Sequence, residues 1–219
     1  MYKVVCCGEV GVISVLVGNI KGGCGKTTIA THLAAAASSQ GYKTVIADCD
    51  RQRSSLNWLK RRGVTANQIS VLDWSKSVGE APDKVQCLII DAPAAMRHKA
   101  VEELIDIADF VVVPVLPSAF DEDASALFLR KLSEVKSVRK QKRTVAVVGN
   151  RIRAGTKSAT GLDHFFEGLG FPVVTRLRDS QVYPALAAMG ATVFDGGDRR
   201  ARDHLQDWAP LMRLIGLQQ

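Results

Sequence analysis

The stretch that decides the fold reads Lys-Gly-Gly-Cys-Gly-Lys-Thr-Thr at residues 21–28. It stands between an apolar run, Val12–Val17, which predicts a strand, and an alanine-rich segment, Thr27–Gln40, which predicts a helix. Glycines let the backbone turn its N–H groups towards an anion, and the following helix directs the positive end of its dipole to the same point. The stretch therefore predicts a loop that binds phosphate groups.

Side chains of this loop supply what a nucleoside triphosphate needs. Lys26 is expected to neutralise charge on the β- and γ-phosphates, and the Thr27 hydroxyl to complete the ligand shell of Mg²⁺. A glycine-rich connector without a ligand is the alternative, and the junction between a strand and a helix disfavours it. The residues predicted to bind the nucleotide are Gly22, Gly23, Cys24, Gly25, Lys26, Thr27 and Thr28.

Short β-branched runs alternate with helical stretches along most of the chain. The expected strands are Val12–Val17, Thr44–Ala47, Ile69–Leu72, Cys87–Ile90, Phe110–Val115, Val145–Val148 and Val173–Val174. The expected helices are Thr27–Gln40, Ser54–Arg62, Arg97–Ala108, Ala119–Lys140, Ser158–Leu169, Gln181–Met189 and Arg199–Ile215. This alternation predicts an α/β fold, with a doubly wound, mostly parallel sheet flanked by helices. Residues 1–10 carry no periodicity and are expected to be a flexible leader, which leaves 11–219 as a single domain.

The loop departs from the strict phosphate-loop pattern G-x-x-x-x-G-K-[ST], because Ile20 occupies the place of the first glycine and a lysine, Lys21, follows. In this respect it resembles the deviant Walker A motif, KGGxGKT, of the ParA/MinD family of ATPases. The resemblance implies a Mg²⁺-dependent ATPase of the phosphate-loop type. It also implies that Lys21 reaches across a dimer interface to the partner's nucleotide, so that Lys21 and Lys26 are candidate catalytic residues.

Two further segments resemble this family, in the same order along the chain. Asp48–Gln52 is similar to its D-x-D-P-Q stretch, with Arg51 in place of the proline, and the resemblance implies that Asp50 positions or polarises the attacking water. Leu88–Pro93 looks like Walker B, where an aspartate at the end of a buried strand can hold Mg²⁺ through water. The predicted metal site thus consists of Thr27, Asp50 and Asp91.

The resemblance continues with less specific segments. Val113–Asp121 resembles the family's V-P-x-x-P-S-x-x-D stretch. Val148–Arg151 resembles a strand end whose asparagine contacts the adenine, a role that falls here on Asn150.

The net charge of +7 is unevenly distributed. Residues 130–157 hold ten Lys or Arg against one acid, a local charge of +9, so that the rest of the chain carries −2. Such a stretch suits a phosphate-rich or acidic surface, and a solvated helix face is an equally good interpretation. The family resemblance places DNA contacts nearer the carboxyl terminus, with residues 130–157 as a rival surface. The DNA-binding candidates are Arg176, Arg178, Arg199, Arg200 and Arg202.

The function implied by the resemblance is that of a ParA-type positioning ATPase in the cytoplasm, associated with the nucleoid. ATP would close two copies into a homodimer that holds DNA non-specifically, and an adaptor protein would stimulate hydrolysis. The cargo could be a plasmid, a chromosome or a protein cluster. The alternative is a MinD-like switch that binds a membrane through the apolar stripe of residues 205–215. This stripe has one late cation, Arg213, and is expected to pack against the sheet instead.

Other classes of function are disfavoured. Five cysteines, the last of them Cys87, suit a reducing compartment and leave no ligands for an iron–sulfur cluster downstream of the Walker B segment. The longest apolar runs are too short to cross a bilayer. A small-molecule enzyme would need a polar constellation of its own, and none stands out. The four histidines, for which surface or satisfied positions are expected, are His32, His98, His164 and His204.

Overall fold

Each of the seven strands expected from the sequence forms in the computed structural model. They are β1 (Ile13–Val17), β2 (Thr44–Asp48), β3 (Ile69–Asp73), β4 (Cys87–Asp91), β5 (Phe110–Val115), β6 (Thr144–Ile152) and β7 (Val173–Arg178). The helices are α1 (Lys26–Ser39), α2 (Ser54–Arg61), α3 (His98–Ile107), α4 (Ala119–Glu134), α5 (Lys136–Arg139), α6 (Lys157–Glu167), α7 (Val182–Ala188), α8 (Arg199–Arg202) and α9 (Leu205–Leu214), with a 3-10 turn at Val193–Asp195.

The structure describes residues 11–63, 66, 68–94, 98–196 and 199–217, and for residue 98 the backbone alone. The expected leader at residues 1–10, the expected helix start at Arg97 and the side chain of His98 therefore lie outside the described residues.

The seven strands form one sheet in the order β3-β2-β4-β1-β5-β6-β7, and every neighbouring pair is parallel. The chain starts near the middle at β1, winds outward to β3 on one side and then to β7 on the other. The predicted doubly wound α/β fold is confirmed.

Both faces of the sheet are covered, which explains why its strands are apolar throughout. Val15 and Val17 of β1 pack on one face with α1, α2, α7 and α9, while Leu16 points to the other face, against α3, α4 and α6. No helix among the described residues combines the length and apolar character that crossing a membrane requires.

The carboxyl-terminal stripe packs as expected. Trp208 and Leu211 of α9 are fully buried, and Ile215 is 1% exposed, in the cluster that covers β1 and β7. These side chains belong to the core on this face of the sheet.

Two predicted helices are each split in two. The helix predicted at Ala119–Lys140 ends at Glu134, because Val135 adopts an extended conformation (φ −64°, ψ 127°) that buries its side chain in the core. The helix predicted at Arg199–Ile215 is interrupted between Arg202 and Leu205, and Pro210 lies inside its second part.

The strands β6 and β7 are longer than predicted, since they continue into polar residues. Asn150 and Arg151 lie at the end of β6, where the pairing with β7 is irregular and Arg151 has a left-handed backbone (φ 54°). The apolar run alone could not indicate this continuation.

The basic residues 130–157 do not form one surface. Lys136–Arg139 and the turn that follows precede β6, whereas Arg153 and Lys157 come after it. The nine residues of β6 separate these groups by about 30 Å along the strand. The single patch predicted from the sequence is therefore wrong, and the two groups lie at opposite edges of the sheet.

Candidate nucleotide site

The ends of three adjacent strands bring the predicted site together. In the sheet, β4 lies between β2 and β1, and the register pairs Asp91 with both Val17 and Asp48. Because parallel strands end at the same edge, the loop after β1, the segment after β2 and Asp91 meet there. The sequence-distant segments that the motifs singled out are thus neighbours.

The phosphate loop has the backbone that its glycines predict. Gly23 (φ 76°) and Gly25 (φ 96°) are left-handed, and α1 begins directly after Gly25. A Cβ atom on Gly25 would lie 2.2 Å from Nδ2 of Asn150. The third glycine is therefore required both by its conformation and by the close approach of β6.

Lys26 is held over the loop. Its side chain is buried, and its Nζ donates a hydrogen bond to the carbonyl oxygen of Lys21 at 2.8 Å. The Cys24 thiol also donates to this carbonyl, at 3.3 Å, and is 1% exposed. Burial raises the pKa of Cys24, which disfavours the reactive thiolate form.

Asp91 is a buried carboxylate with an unfilled acceptor. Its Oδ2 accepts a hydrogen bond from the Ser55 hydroxyl at 2.7 Å, while its Oδ1 is buried and has no partner among the described residues. Burial raises the pKa of Asp91 to about 7, against the opposing effects of the hydrogen bond from Ser55 and of the nearby Thr27 hydroxyl. A cation beside Asp91 would remove this cost of burying a charge.

The residues present fit Mg²⁺ as that cation. The Thr27 hydroxyl and the orphaned Oδ1 of Asp91 are the hard oxygen ligands that this ion takes. No group of three His, Cys, Asp or Glu side chains converges on one point in the part of the chain that the structure describes. The site therefore suits an ion that keeps several waters and shares the phosphates of a nucleotide, as Mg²⁺ does.

Asp48, the last residue of β2, and Asp50, two residues later, have different roles. Asp48 is fully buried, and its oxygens accept from the backbone N–H groups of Asp50 (3.1 Å) and Leu56 (3.0 Å). Asp50 is half-buried and accepts from the backbone N–H of Gln52 at 2.9 Å. Asp48 thus braces the turn that carries Asp50, and Asp50 retains acceptor capacity for a ligand.

Lys21 lies at the mouth of the loop with its side chain 37% exposed. Its Nζ is 3.9 Å from Oδ1 of Asp121, near the start of α4. Asp121 is itself held by the Ser118 hydroxyl, which donates to its Oδ2 at 2.5 Å. In the single chain, the lysine expected to act across an interface is therefore paired with a carboxylate of its own chain.

Sequence reasoning missed two side chains of the site. Asn19 is fully buried and donates to the carbonyl oxygen of Pro114 (2.8 Å) and to Ser125 (2.9 Å), which ties the loop to β5 and α4. Ser55 holds Asp91, as described above. The only signal for Asn19 was a polar residue immediately before the loop, and Ser55 is an unremarkable residue in the first turn of α2.

Asn150 reaches the phosphate loop from β6. Its Nδ2 donates to the carbonyl oxygen of Cys24 at 2.8 Å, and its Oδ1 accepts from the backbone N–H of Arg151 at 3.0 Å. It also borders a cavity of about 280 Å³ that opens beside Thr28. Other residues that line this cavity are Asp179, Ser180, Gln181, Tyr183 and Trp208. The adenine contact of Asn150 stays a prediction, and its hydrogen bond to the loop is an additional role.

His32 connects the loop to the carboxyl-terminal helix. Its Nδ1 donates to the carbonyl oxygen of Thr28 at 2.7 Å, and its ring stacks on Trp208 with centroids 4.9 Å apart. Burial lowers the pKa of His32 to about 4, so the ring is neutral at pH 7. This differs from the surface or satisfied histidine that the sequence predicted, because the ring is buried and its Nε2 has no partner among the described residues.

The DNA-binding candidates fall into two groups. On β7, Arg176 is paired with Asp163 at 2.6 Å and Arg178 with Asp207 at 2.7 Å. Arg178 also donates to the carbonyl oxygen of Asp203, close to α8. The remaining candidates, Arg199, Arg200 and Arg202, are exposed on α8. The structure brings Arg178 to the end of α8, and directs Arg176 away from it towards α6.

Residues 15–193 match the family model described as the CobQ/CobB/MinD/ParA nucleotide binding domain. The chain belongs to this family. The predicted resemblance is thereby confirmed, and the phosphate loop, the segment after β2 and Asp91 all lie within the matched range.

One relative is Maintenance of carboxysome distribution protein A of Halothiobacillus neapolitanus. It is 30% identical to this chain over 192 residues, which cover 84% of this chain and 87% of the relative. Protein ParA of Rhizobium radiobacter is 27% identical over 148 residues, or 66% of this chain and 67% of that protein. The fold also matches an Asp-to-Ala variant of McdA from Cyanothece, solved in complex with ATP, with a TM-score of 0.75 and 16% identity over 96% of this chain and 99% of that one.

Proposed function

We propose that the chain is a Mg²⁺-dependent ATPase that hydrolyses ATP to ADP and phosphate and positions a cargo by cycling between one copy and a nucleotide-bound pair. One observation carries the proposal: Lys21, Lys26, Asp50 and Asp91 lie at one edge of the sheet, although 70 positions separate the first from the last. Family membership and the ATP-bound McdA relative support the nucleotide.

Each residue has a defined task in this proposal. Lys26 and the backbone of residues 22–28 bind the phosphates, while Thr27 and Asp91 hold the ion, which lowers the negative charge on the phosphates when it is bound. Asp50 accepts a hydrogen bond from the attacking water and orients it. Lys21, released from Asp121, reaches the phosphates bound by the second copy and completes the site.

The pair of chains is the state proposed to bind DNA. Contacts to phosphate groups would come from Arg199, Arg200 and Arg202 on α8, with Arg176 and Arg178 on β7 available once they leave their carboxylates. Such binding reads no bases and weakens steeply with salt. We place the protein at the nucleoid in the cytoplasm on this basis.

An adaptor protein is proposed to trigger hydrolysis, and the cargo is a plasmid, a chromosome or a protein assembly. Relatives named for carboxysome distribution and for partition support a positioning role. The MinD-like alternative has no support in the carboxyl-terminal segment, because Trp208, Leu211 and Ile215 are buried against the sheet.

The test is the variant Asp50→Ala. If Asp50 orients the water, this variant binds ATP and Mg²⁺ but hydrolyses ATP at least about 100-fold more slowly than the wild type. In the presence of ATP, the variant then accumulates as a pair of chains. Hydrolysis is measured by phosphate release, and mass by light scattering after size-exclusion chromatography. Asp83→Ala, an exposed carboxylate in the segment that precedes β4, is the matched control. Normal hydrolysis by Asp50→Ala would show that another group positions the water.

A further inference from the structure

A second cavity, of about 720 Å³, opens at the amino edge of the sheet, opposite to the phosphate loop. It lies between α4, α5, the start of β6 and the loop from α6 to β7. The nine residues of β6 place this amino-edge cavity about 30 Å from the nucleotide site. Nothing in the proposed ATPase cycle uses it.

The amino-edge cavity is strongly cationic. Arg130, Arg139 and Arg143 line it, and none of the described residues that line it is Asp or Glu. Residues 130–143 hold seven Lys or Arg and one acid, Glu134, a net charge of +6. Among the described residues, no carboxylate forms an ion pair with Arg130 or Arg139, in contrast to the arginines of β7.

Arg143 is fixed in place as a donor. One of its terminal nitrogens donates to the carbonyl oxygen of Asp106 at 2.6 Å, and the other is 3.5 Å from Oδ1 of Asp109. Its Nε is buried and has no partner among the described residues. Arg143 is therefore a fixed part of the cavity wall whose charge Asp109 partly offsets, which leaves Arg130 and Arg139 as the cations available to a ligand.

The floor and one wall of the cavity are apolar. Leu129, Val138 and Val145 form buried surface beneath the arginines. Leu169 and Phe171 form a half-buried wall, and an added Cβ on Gly170 would meet no atom within 4 Å. The cavity therefore offers room and apolar contact between its charges.

We propose that the amino-edge cavity binds a linear acidic segment of a partner protein, with carboxylates on Arg130 and Arg139 and an apolar side chain against Leu169 and Phe171. Guanidinium groups pair with carboxylates through two parallel hydrogen bonds, and an apolar recess between them fits an aliphatic or aromatic side chain. Duplex DNA presents phosphates on a convex surface and would leave this recess unfilled, so a peptide fits better than DNA.

The experiment uses the full chain and a fluorescein-labelled peptide of alternating Glu and Leu, 12 residues long, followed by fluorescence anisotropy. We expect saturable binding that is unchanged by a non-hydrolysable ATP analogue. Arg130→Ala and Arg139→Ala should each weaken it by about tenfold, a usual loss for a central charged contact. Lys131→Ala is the matched control, because it removes the same charge from the exposed face of α4 outside the cavity and should change affinity less than about twofold.

A second peptide distinguishes specific binding in the cavity from non-specific electrostatic attraction. In this peptide glutamine replaces every leucine at equal charge, and it should bind at least about fivefold more weakly if Leu169 and Phe171 contribute. Equal affinity for the two peptides, or equal losses in Lys131→Ala and Arg139→Ala, would overturn the proposal. A 24-base-pair DNA duplex is the competitor in a further experiment. If it displaces the peptide, and if its own binding needs Arg130 and Arg139 but not Lys131, the cavity binds nucleic acid and the proposal is overturned. Because Arg130 and Arg139 are exposed, thermal melting should show both variants folded.

Discussion

The two edges of the sheet hold charged groups in opposite ways. At the carboxyl edge, three charged side chains are buried and hydrogen-bonded to a neighbouring segment: Asp48 and Asp91 to α2, and Lys26 to the phosphate loop. At the amino edge, Arg130 of α4 and Arg139 of α5 are exposed around a cavity with an apolar floor. Fixed polar groups suit a reaction on a small ligand, whereas exposed cations around an apolar recess suit the binding of an acidic peptide segment.

The contrast predicts that glycines at the two edges differ in their tolerance of a side chain. Gly25→Ala should lower the free energy of unfolding by about 2–4 kcal/mol, since it forces a left-handed alanine and displaces Asn150 from the loop. Gly170→Ala at the amino-edge cavity should change it by less than about 1 kcal/mol, in open space and without a positive φ. Urea unfolding of both variants provides the measurement, and equal losses would remove this distinction between the edges.

The buried acid at the carboxyl edge should make stability depend on pH when no nucleotide is bound. In the folded state Asp91 keeps its proton up to about pH 7. In the unfolded state the carboxyl group loses this proton near the ordinary pKa of an aspartate. Its contribution to stability is therefore present below that ordinary value and is lost as the pH rises through about 7.

Asp91→Asn cannot ionise, so the wild type should lose about 2–3 kcal/mol relative to this variant between about pH 5 and about pH 8. Urea unfolding at both pH values measures the difference, with the exposed Asp83→Asn as control. A difference between wild type and Asp91→Asn that is the same at both pH values would show that Asp91 is ionised in the folded chain.

The pair formed by Lys21 and Asp121 should restrain the association of two chains. Asp121→Asn removes the attraction but keeps an acceptor for Ser118, so the nucleotide-bound pair of chains should become about two- to fivefold tighter. Analytical ultracentrifugation with a non-hydrolysable ATP analogue measures it. Asp123→Asn, exposed two residues further along α4, is the control and should have no effect. Weaker association of Asp121→Asn would mean that Asp121 supports the interface instead.

The smallest effect concerns the arginines proposed to bind DNA. Arg202→Ala should weaken ATP-dependent DNA binding about threefold and reduce the salt dependence by about one phosphate contact. Arg176→Ala should have less effect, because Asp163 already neutralises this side chain. Filter binding at two salt concentrations compares the two variants, and a larger loss for Arg176→Ala would place the DNA on β7.

The sequence predicted the carboxyl edge well, because its residues lie in short motifs whose spacing reflects one local backbone. Lys26, Asp50 and Asp91 follow strand ends, and the parallel sheet brings such ends together. Asn19 and Ser55 escaped notice, since their partners are distant in sequence and only the folded chain shows the contacts.

The amino edge was predicted poorly for a physical reason. A run of charges in sequence was interpreted as one surface, and the length of β6 separates its two halves. The break at Val135 was also missed, because the gain from burying this side chain depends on neighbours that helical periodicity does not reveal.

The most direct test measures mass and bound nucleotide in one sample. With Mg²⁺ and a non-hydrolysable ATP analogue, the wild-type chain of 23.7 kDa should double in mass and retain nucleotide. Lys21→Ala should retain nucleotide without doubling, and Lys26→Ala should do neither. A wild-type chain that stays single and releases the nucleotide would contradict the account at its centre.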